Sequence, residues 1–275
     1  MSGGTGFGRD PGRLVIGAAV GYRWADLRPF VLSLVDIGYD GRLCLLVSRS
    51  ETDGETIDAL RRHVVDVEPF ESWRFMPMCV HLARYIKIFE YLDGNPCGRV
   101  MMSDTRDVVF QSDPFDLKRP GEVFYFAEDR GVRIGNCRDN SNWVRSALGQ
   151  DKLDSIAAKV ISCSGITIGG YAGIMRYLVT LLQMAGEADP ASLRIDGIDQ
   201  GLHNVLVHEG RVANALLVEN AAHVNTMGHL PGAAIRVSDR AIAENADGSV
   251  SAILHQYDYD PHGAILDAVL RRYGA

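Results

Sequence analysis

The sequence contains no run of eighteen apolar residues, so no segment is expected to cross a membrane as a helix. It contains no Cys-x-x-Cys pair, and its five cysteines (Cys44, Cys79, Cys97, Cys137 and Cys163) are odd in number and scattered. Such a set supports neither a zinc ribbon nor a disulfide framework. These cysteines read as small buried hydrophobes of a reducing compartment, and the cytoplasm is the expected location. Basic residues are in deficit, 28 Lys and Arg against 35 Asp and Glu, for a net charge of −7. That balance argues against a nucleic-acid partner, which calls for a basic stripe. A nucleotide-sized ligand remains open, because a bound cation can supply the missing positive charge. Arg271 and Arg272 at the end of the last helix are too few for a basic membrane anchor. Internal repeats and Pro/Ser linkers are missing too, so one domain over 14–275 is expected. The glycine-rich stretch 1–13 has no apolar signal-peptide core and reads as a disordered lead-in.

What is present is a layered α/β pattern, and 275 residues at 47% hydrophobic content suffice for one continuous core. Leu14–Val20 is a short apolar run stopped by Gly21, as a buried parallel strand would be. A helix follows from about Asp26 to Gly38, then a strand at Leu43–Val47, a helix at Thr56–His63 and a strand at Val64–Val67. This βαβαβ opening is the signature of a sheet covered by helices. The most regular helix runs from about Met78 to Leu92, ended by Gly94. Strands are expected at Arg99–Met102, Val108–Phe110 and Val123–Ala127, with Pro114 breaking the chain between the last two. The stretch Glu128–Asn142 reads as loop. Beyond it come a strand at Val160–Cys163, helices at about Ala172–Ala185 and Asp199–His208, and a last strand at Ala252–Leu254.

Asp104 and Asp107 lie at the C-terminal end of a buried strand, where open α/β sheets bind ligands. Two carboxylates so close repel unless a cation holds them, and a hard divalent ion shared with substrate phosphates would do so. The plain alternative is a surface turn in which Asp104 caps and Arg106 pairs locally. His255 also emerges from a strand end, and imidazole suits Mn²⁺ as a further ligand. Asp199 and Gln200 stand at a helix start; an N-cap explains the aspartate and leaves the glutamine unexplained. In Cys163-Ser164-Gly165 the glycine would let the backbone approach a ligand and the serine donate to it, or the three form a tight turn. Arg84 is a phosphate or carboxylate clamp or a solvated helix arginine. Tyr22 is a base-stacking or merely half-buried ring.

The order of these residues resembles the glycosyltransferases of the GT-A fold, above all the retaining branch with glycogenin and the lipooligosaccharide galactosyltransferases. The resemblance rests on Ala19 to Tyr22, Arg84, Asp104 to Asp107, Cys163-Ser164-Gly165, Asp199-Gln200 and His255. It covers most of the chain as an ordered pattern without close identity. It implies a single-domain, Rossmann-like nucleotide-sugar-binding α/β fold with a mixed central sheet flanked by helices. It also implies Mn²⁺ or Mg²⁺ on Asp107 and His255, with Asp104 on the metal or the donor ribose. Arg84, Ser164 and Gly165 would meet the donor sugar or its phosphates, and Ala19 and Tyr22 the base. Gln200 would lie near the anomeric carbon, Asp199 on sugar hydroxyls, and Asp129 on the sugar or the acceptor. The donor would be a UDP- or GDP-sugar and the acceptor a carbohydrate or glycoconjugate hydroxyl, in bacterial surface-polysaccharide or glycoconjugate synthesis.

Three departures stand out. The metal motif is Asp-x-x-Asp where the family has Asp-x-Asp, Cys163 replaces the family asparagine, and the late histidine lacks the family's following Gly and Lys-Pro-Trp. Retention is implied by the resemblance; an inverting enzyme would need a base, for which Glu128, Asp129 and Asp139 are available. Arg130, Arg133 and Arg138 suit an anionic acceptor or a solvated loop, and Trp143 is an expected acceptor contact. A rival reading is a non-catalytic sugar- or nucleotide-binding module with a degenerate site.

Overall fold

The computed structural model describes residues 7–8, 10–117, 122–229, 235–238, 242–259 and 263–274. The first half of the chain alternates strand and helix: β1 (Asp10–Ala18), α1 (Trp24–Asp36), β2 (Gly41–Val47), α2 (Gly54–Arg62), β3 (Asp66–Pro69), α3 (Val80–Gly94) and β4 (Arg99–Ser103). Next come β5 (Val108–Phe110), β6 (Val123–Ala127), α4 (Arg138–Leu148), α5 (Gln150–Ile156), β7 (Ser162–Gly170), α6 (Tyr171–Glu187) and α7 (Ile198–His208). The chain closes with β8 (Ala215–Val218), β9 (Val224–Thr226), β10 (Ile235–Val237), β11 (Ala243–Asn245), β12 (Ile253–His255) and α8 (Gly263–Tyr273). No helix among the described residues is long and apolar enough to cross a membrane.

Among the described residues, seven strands form the main sheet in the order β3-β2-β1-β4-β7-β6-β8. The pairs β3–β2, β2–β1, β1–β4 and β6–β8 are parallel, while β7 runs antiparallel to both neighbours, which makes the sheet mixed. The carboxyl ends of β1, β4 and β6 therefore open on one edge together with the start of β7. That edge is where open α/β sheets place ligands.

Alternation along the central strands feeds two cores. Leu14, Ile16, Val100 and Met102 pack with α3, α6 and α7 on one face, while Val15, Leu43, Leu45 and Met101 pack with α1, β5 and β12 on the other. Each large side chain fully buried in these layers stabilises by about 1.5–3 kcal/mol. Central strands buried on both faces read as continuous apolar runs, which is how Leu14–Val20 and Leu43–Val47 are legible.

Four local readings change. First, β1 starts at Asp10, ahead of Leu14, with a register slip between Asp10 and Leu14. Arg13 holds this start, donating to Asp10 (2.9 Å), Asp113 (2.6 Å) and Asp40, while Phe7 is buried beside Tyr39. Residues 1–6 and 9 of the expected lead-in lie outside the described residues. Second, Val64 is no strand residue: it sits at φ 58° closing α2, and β3 begins at Asp66. Third, Glu128–Asn142 is not all loop. A 3-10 turn at Ile134–Asn136 leads into α4, whose first inward positions are the polar Asn140 and Ser141, so no apolar period announces it. Fourth, β7 runs on to Gly170 through Ser164 and Gly165, which sit where its pairing with β6 shifts between Tyr125 and Phe126.

Candidate active site

The strand β4 ends at Ser103, and the next residues are pinned by backbone. The Asp104 N–H donates to Gly165 O (2.7 Å), and Thr105 Oγ1 donates to Ala18 O (2.8 Å). The loop then turns into β5, which pairs antiparallel with β12 so that His255 stands opposite Val108. This register sets His255 beside the aspartates. Its Nε2 lies 3.5 Å from Asp104 Oδ2 and 3.9 Å from Asp107 Oδ1. One ligand atom from each of the three residues falls within 4.8 Å of the others.

The donor set fits a divalent cation. His255 is 1% exposed, yet its Nε2 has no hydrogen-bond partner among the described residues. A buried polar atom left in that state costs free energy unless something else satisfies it. Its other nitrogen, Nδ1, lies 3.6 Å from Cys163 Sγ, which orients the ring. Gly165 keeps the space clear: a Cβ there would stand 2.5 Å from both Asp104 Oδ2 and His255 Cε1.

The electrostatics agree. Burial would raise the Asp104 carboxyl, but Arg84 and His255 outweigh it and hold Asp104 ionised. Burial raises Asp107, helped by the neighbouring Asp104 charge and opposed by His255 and Arg106. Burial opposes charge on His255, yet Cys163, Asp104 and Asp107 raise its proton affinity well above the usual imidazole range. Two carboxylates and an imidazole that attract positive charge this strongly are what a hard cation would exploit.

Beside this centre, Arg84 is an inward-facing residue of α3 whose side chain is 11% exposed. It donates to Asp104 and, through Nη2, to Asp199 Oδ2 at 3.1 Å. Asp199 also accepts from Ser164 Oγ (3.3 Å) and Tyr85 OH (3.4 Å). The helix cap is Gly197 at φ 83°, so the N-cap reading of Asp199 gives way to this clamp. Gln200 is explained as well: its Oε1 accepts from Ser164 N (2.6 Å) and its Nε2 donates to Glu128 Oε1 (3.1 Å).

Around these groups lies a cleft of two adjoining lobes. One, of about 250 Å³, is lined by Glu128, Trp143, Ser164, Gly165, Asp199 and Gln200. The other, of about 230 Å³, is lined by Ala18, Val20, Tyr22, Thr105, Arg106 and Asp107. Arg84, Asp104, His81, Gln256 and Tyr259 line both, so Asp104 of the carboxylate–imidazole cluster borders the two lobes together.

No family profile matches the chain, and no curated protein matches its sequence. Among solved structures it is similar to the galactosyltransferase LgtC in complex with donor and acceptor sugar analogues. That match has a TM-score of 0.57 at 13% identity, over 93% of this chain and 95% of the other. An active-site mutant of LgtC gives a TM-score of 0.55 at 14% identity, over 93% and 94%. The fold is the GT-A glycosyltransferase fold.

Within the GT-A fold, the structure gathers Tyr22, Arg84, Asp104, Asp107, Trp143, Ser164, Gly165, Asp199, Gln200 and His255 at one edge of the sheet. Trp143 packs on the Gly197 turn, where a Cβ would meet its Cζ2 at 2.3 Å. Two expected residues stand apart. Ala19 is buried among the apolar residues of the α1 face, its N–H bound to Leu46 O (2.8 Å), and Ala18 and Val20 line the lobe in its place. Asp129 accepts from Gly131 N (2.7 Å) at an exposed turn and borders a neighbouring cavity of about 530 Å³. The buried carboxylate facing Gln200 is Glu128, which also meets His229 Nε2 at 3.4 Å. Of the loop arginines, Arg130 pairs with Glu219 and Arg138 with Asp139. Arg106 is bound to Asp258, with Asp107 at 3.7 Å. Gln256, at φ 58°, and Tyr259 were not singled out by the sequence. A left-handed glutamine leaves no trace in periodicity, and the only local sign is its place after His255.

Proposed function

We propose that the chain is a glycosyltransferase that moves a sugar from a nucleoside-diphosphate sugar to a hydroxyl acceptor, with retention, using Mn²⁺ or Mg²⁺. The observation that carries this reading is the convergence of Asp104, Asp107 and His255, whose Nε2 has no hydrogen-bond partner among the described residues, where Asp104 borders two cleft lobes. The GT-A fold supports it, and so does the likeness to a galactosyltransferase solved with donor and acceptor sugar analogues.

A divalent ion on these three residues would supply Lewis-acid neutralisation of the leaving diphosphate. The remaining work falls to side chains of this chain. Tyr22 lines the lobe beyond Asp107 and would meet the base. Arg84 fixes Asp104 and Asp199 together, so donor and sugar lobes keep one geometry. Asp199 and Ser164 present oxygens to sugar hydroxyls. Gln200, held at both ends of its amide, turns a fixed dipole toward the anomeric centre and stabilises positive charge as it develops there. Glu128 is occupied by Gln200 and His229, which favours attack by the acceptor hydroxyl from the face the diphosphate leaves. The departing phosphate oxygen takes the hydroxyl proton. Trp143 at the rim is placed to stack on the acceptor sugar.

The test is hydrolysis and transfer with a panel of nucleotide sugars, with Mn²⁺ and with EDTA, alongside Asp107→Ala. Metal-dependent release of nucleoside diphosphate from one donor, lost in the variant, is the expected result, and the anomeric proton of the product reports retention. Nucleotide binding that neither needs metal nor leads to turnover would point to a binding module instead. If no donor binds in the presence of metal, the transferase reading falls.

A further inference from the structure

Cys79, His81 and Asp196 form a second convergence of ligand atoms, outside the Asp104 cluster. Cys79 is the N-cap of α3, His81 lies in the first turn of that helix, and Asp196 stands in the turn before α7. One ligand atom of each falls within 4.8 Å of the other two, and His81 Nδ1 is 3.6 Å from Asp196 Oδ1. The backbone holds them there: Cys79 N donates to Leu193 O at 2.8 Å, pinning the segment that carries Asp196 against the start of α3. His81 Nδ1 is shielded from water and has no hydrogen-bond partner among the described residues.

We infer that Cys79, His81 and Asp196 are a second metal site, for a Zn²⁺-class ion, beside the cleft. The donor set of one thiolate, one imidazole and one carboxylate is what zinc takes, and it differs from the oxygen-rich set at Asp104. Zinc bonds of about 2.0–2.3 Å put ligand atoms roughly 3.3–3.8 Å apart. Closing to that distance needs only small rotations of Asp196 (83% exposed) and His81 (46% exposed) about a buried Cys79. Three protein ligands leave the fourth position to water or to a substrate oxygen. As the S–metal bond forms, the Cys79 thiol proton passes to solvent.

The position has a consequence for the cleft. His81 lines both lobes, so an ion held on it would fix one wall residue that the two share. It also ties the start of α3, which carries Arg84, to the turn leading into Asp199 and Gln200. Metal binding by these three residues is independent of sugar transfer.

Co²⁺ is the probe, because a cobalt–thiolate bond gives a near-ultraviolet charge-transfer band that oxygen and nitrogen ligands do not. Titration of Asp107→Ala, in which the Asp104 cluster is silenced, should give that band at one equivalent, and the full chain should reach the same band intensity while taking up further cobalt. Zn²⁺ should displace the cobalt. The band should vanish in Cys79→Ser and persist in Cys163→Ala, and Asp196→Asn should weaken binding at least about tenfold. Asp196 is exposed, so that variant decides the matter even if Cys79→Ser fails to fold, with circular dichroism as the check. No band, a band lost with Cys163 in place of Cys79, or unchanged affinity in Asp196→Asn overturns the site.

Discussion

Asp104 and Asp199, distant in sequence, are bound to opposite ends of one guanidinium, that of Arg84. The pairing joins the end of β4 to the first turn of α7, and so joins the Asp104–Asp107–His255 cluster to the lobe lined by Ser164, Asp199 and Gln200. Burial opposes the charge on Arg84, but Tyr85 and the two carboxylates raise its proton affinity well above normal, and it stays ionised.

Because the bridge needs a fork, Arg84→Lys should keep the charge and lose the link. Donor affinity, measured by calorimetry with Mn²⁺, should fall about 10–100-fold. Arg84→Ala should in addition lower stability by about 3–5 kcal/mol in urea unfolding, since it leaves two carboxylates without their partner.

Asp107→Ala and His255→Ala should each abolish tight Mn²⁺ binding, read by electron paramagnetic resonance of the free ion. Nucleotide-sugar turnover should fall at least about 100-fold in both. A variant with full Mn²⁺ affinity would remove that residue from the metal set.

Gly165→Ala tests the space at the site. The new methyl would collide with Asp104 Oδ2 and His255, and both are held by backbone-anchored elements. The expected outcome is a folded protein, destabilised by about 1–3 kcal/mol, with Mn²⁺ affinity lost. Retained affinity would show that the two ligands can part without cost.

His203 predicts an acid limb of stability. It is fully buried, bonded to Tyr177 OH and Ser162 Oγ at 2.8 Å each, and burial lowers its pKa to about 3. The unfolded chain titrates its histidines near 6.5 and binds the proton that the folded chain refuses. Stability from this group is therefore complete above about pH 6.5 and is lost as pH falls toward 3. The slope is at most about 1.4 kcal/mol per pH unit. His203→Gln should show a shallower fall over that window in denaturant midpoints; an unchanged slope would mean that His203 takes up its proton in the folded state.

The alternation and short apolar runs of β1, β2, β4 and β6 made the layered sheet legible, because burial on both faces writes itself into local composition. Asp104, Asp107, Ser164, Gln200 and His255 were legible as strand-end or helix-start polar residues. The inward turn of Arg84 was not, since a helix period marks it as polar and says nothing of a partner across the fold. Nor was the choice of Glu128 over Asp129, which hangs on which of two adjacent carboxylates faces α7. The helix α4 was hidden because its first buried positions are an amide and a hydroxyl, Asn140 accepting from Asn204 of α7 at 3.3 Å and Ser141 donating to Arg138 O in its own first turn.

By itself, then, the sequence determined the order of elements from β1 to β6 and the residue types standing at their ends, because periodicity and residue type are local properties. The tertiary structure alone decided the site. The antiparallel register of β12 on β5 sets His255 against the aspartates, and the shift in β7 brings Gly165 up to them. Those pairings are made between segments far apart in the chain, and long-range register is fixed by packing, which no local pattern records.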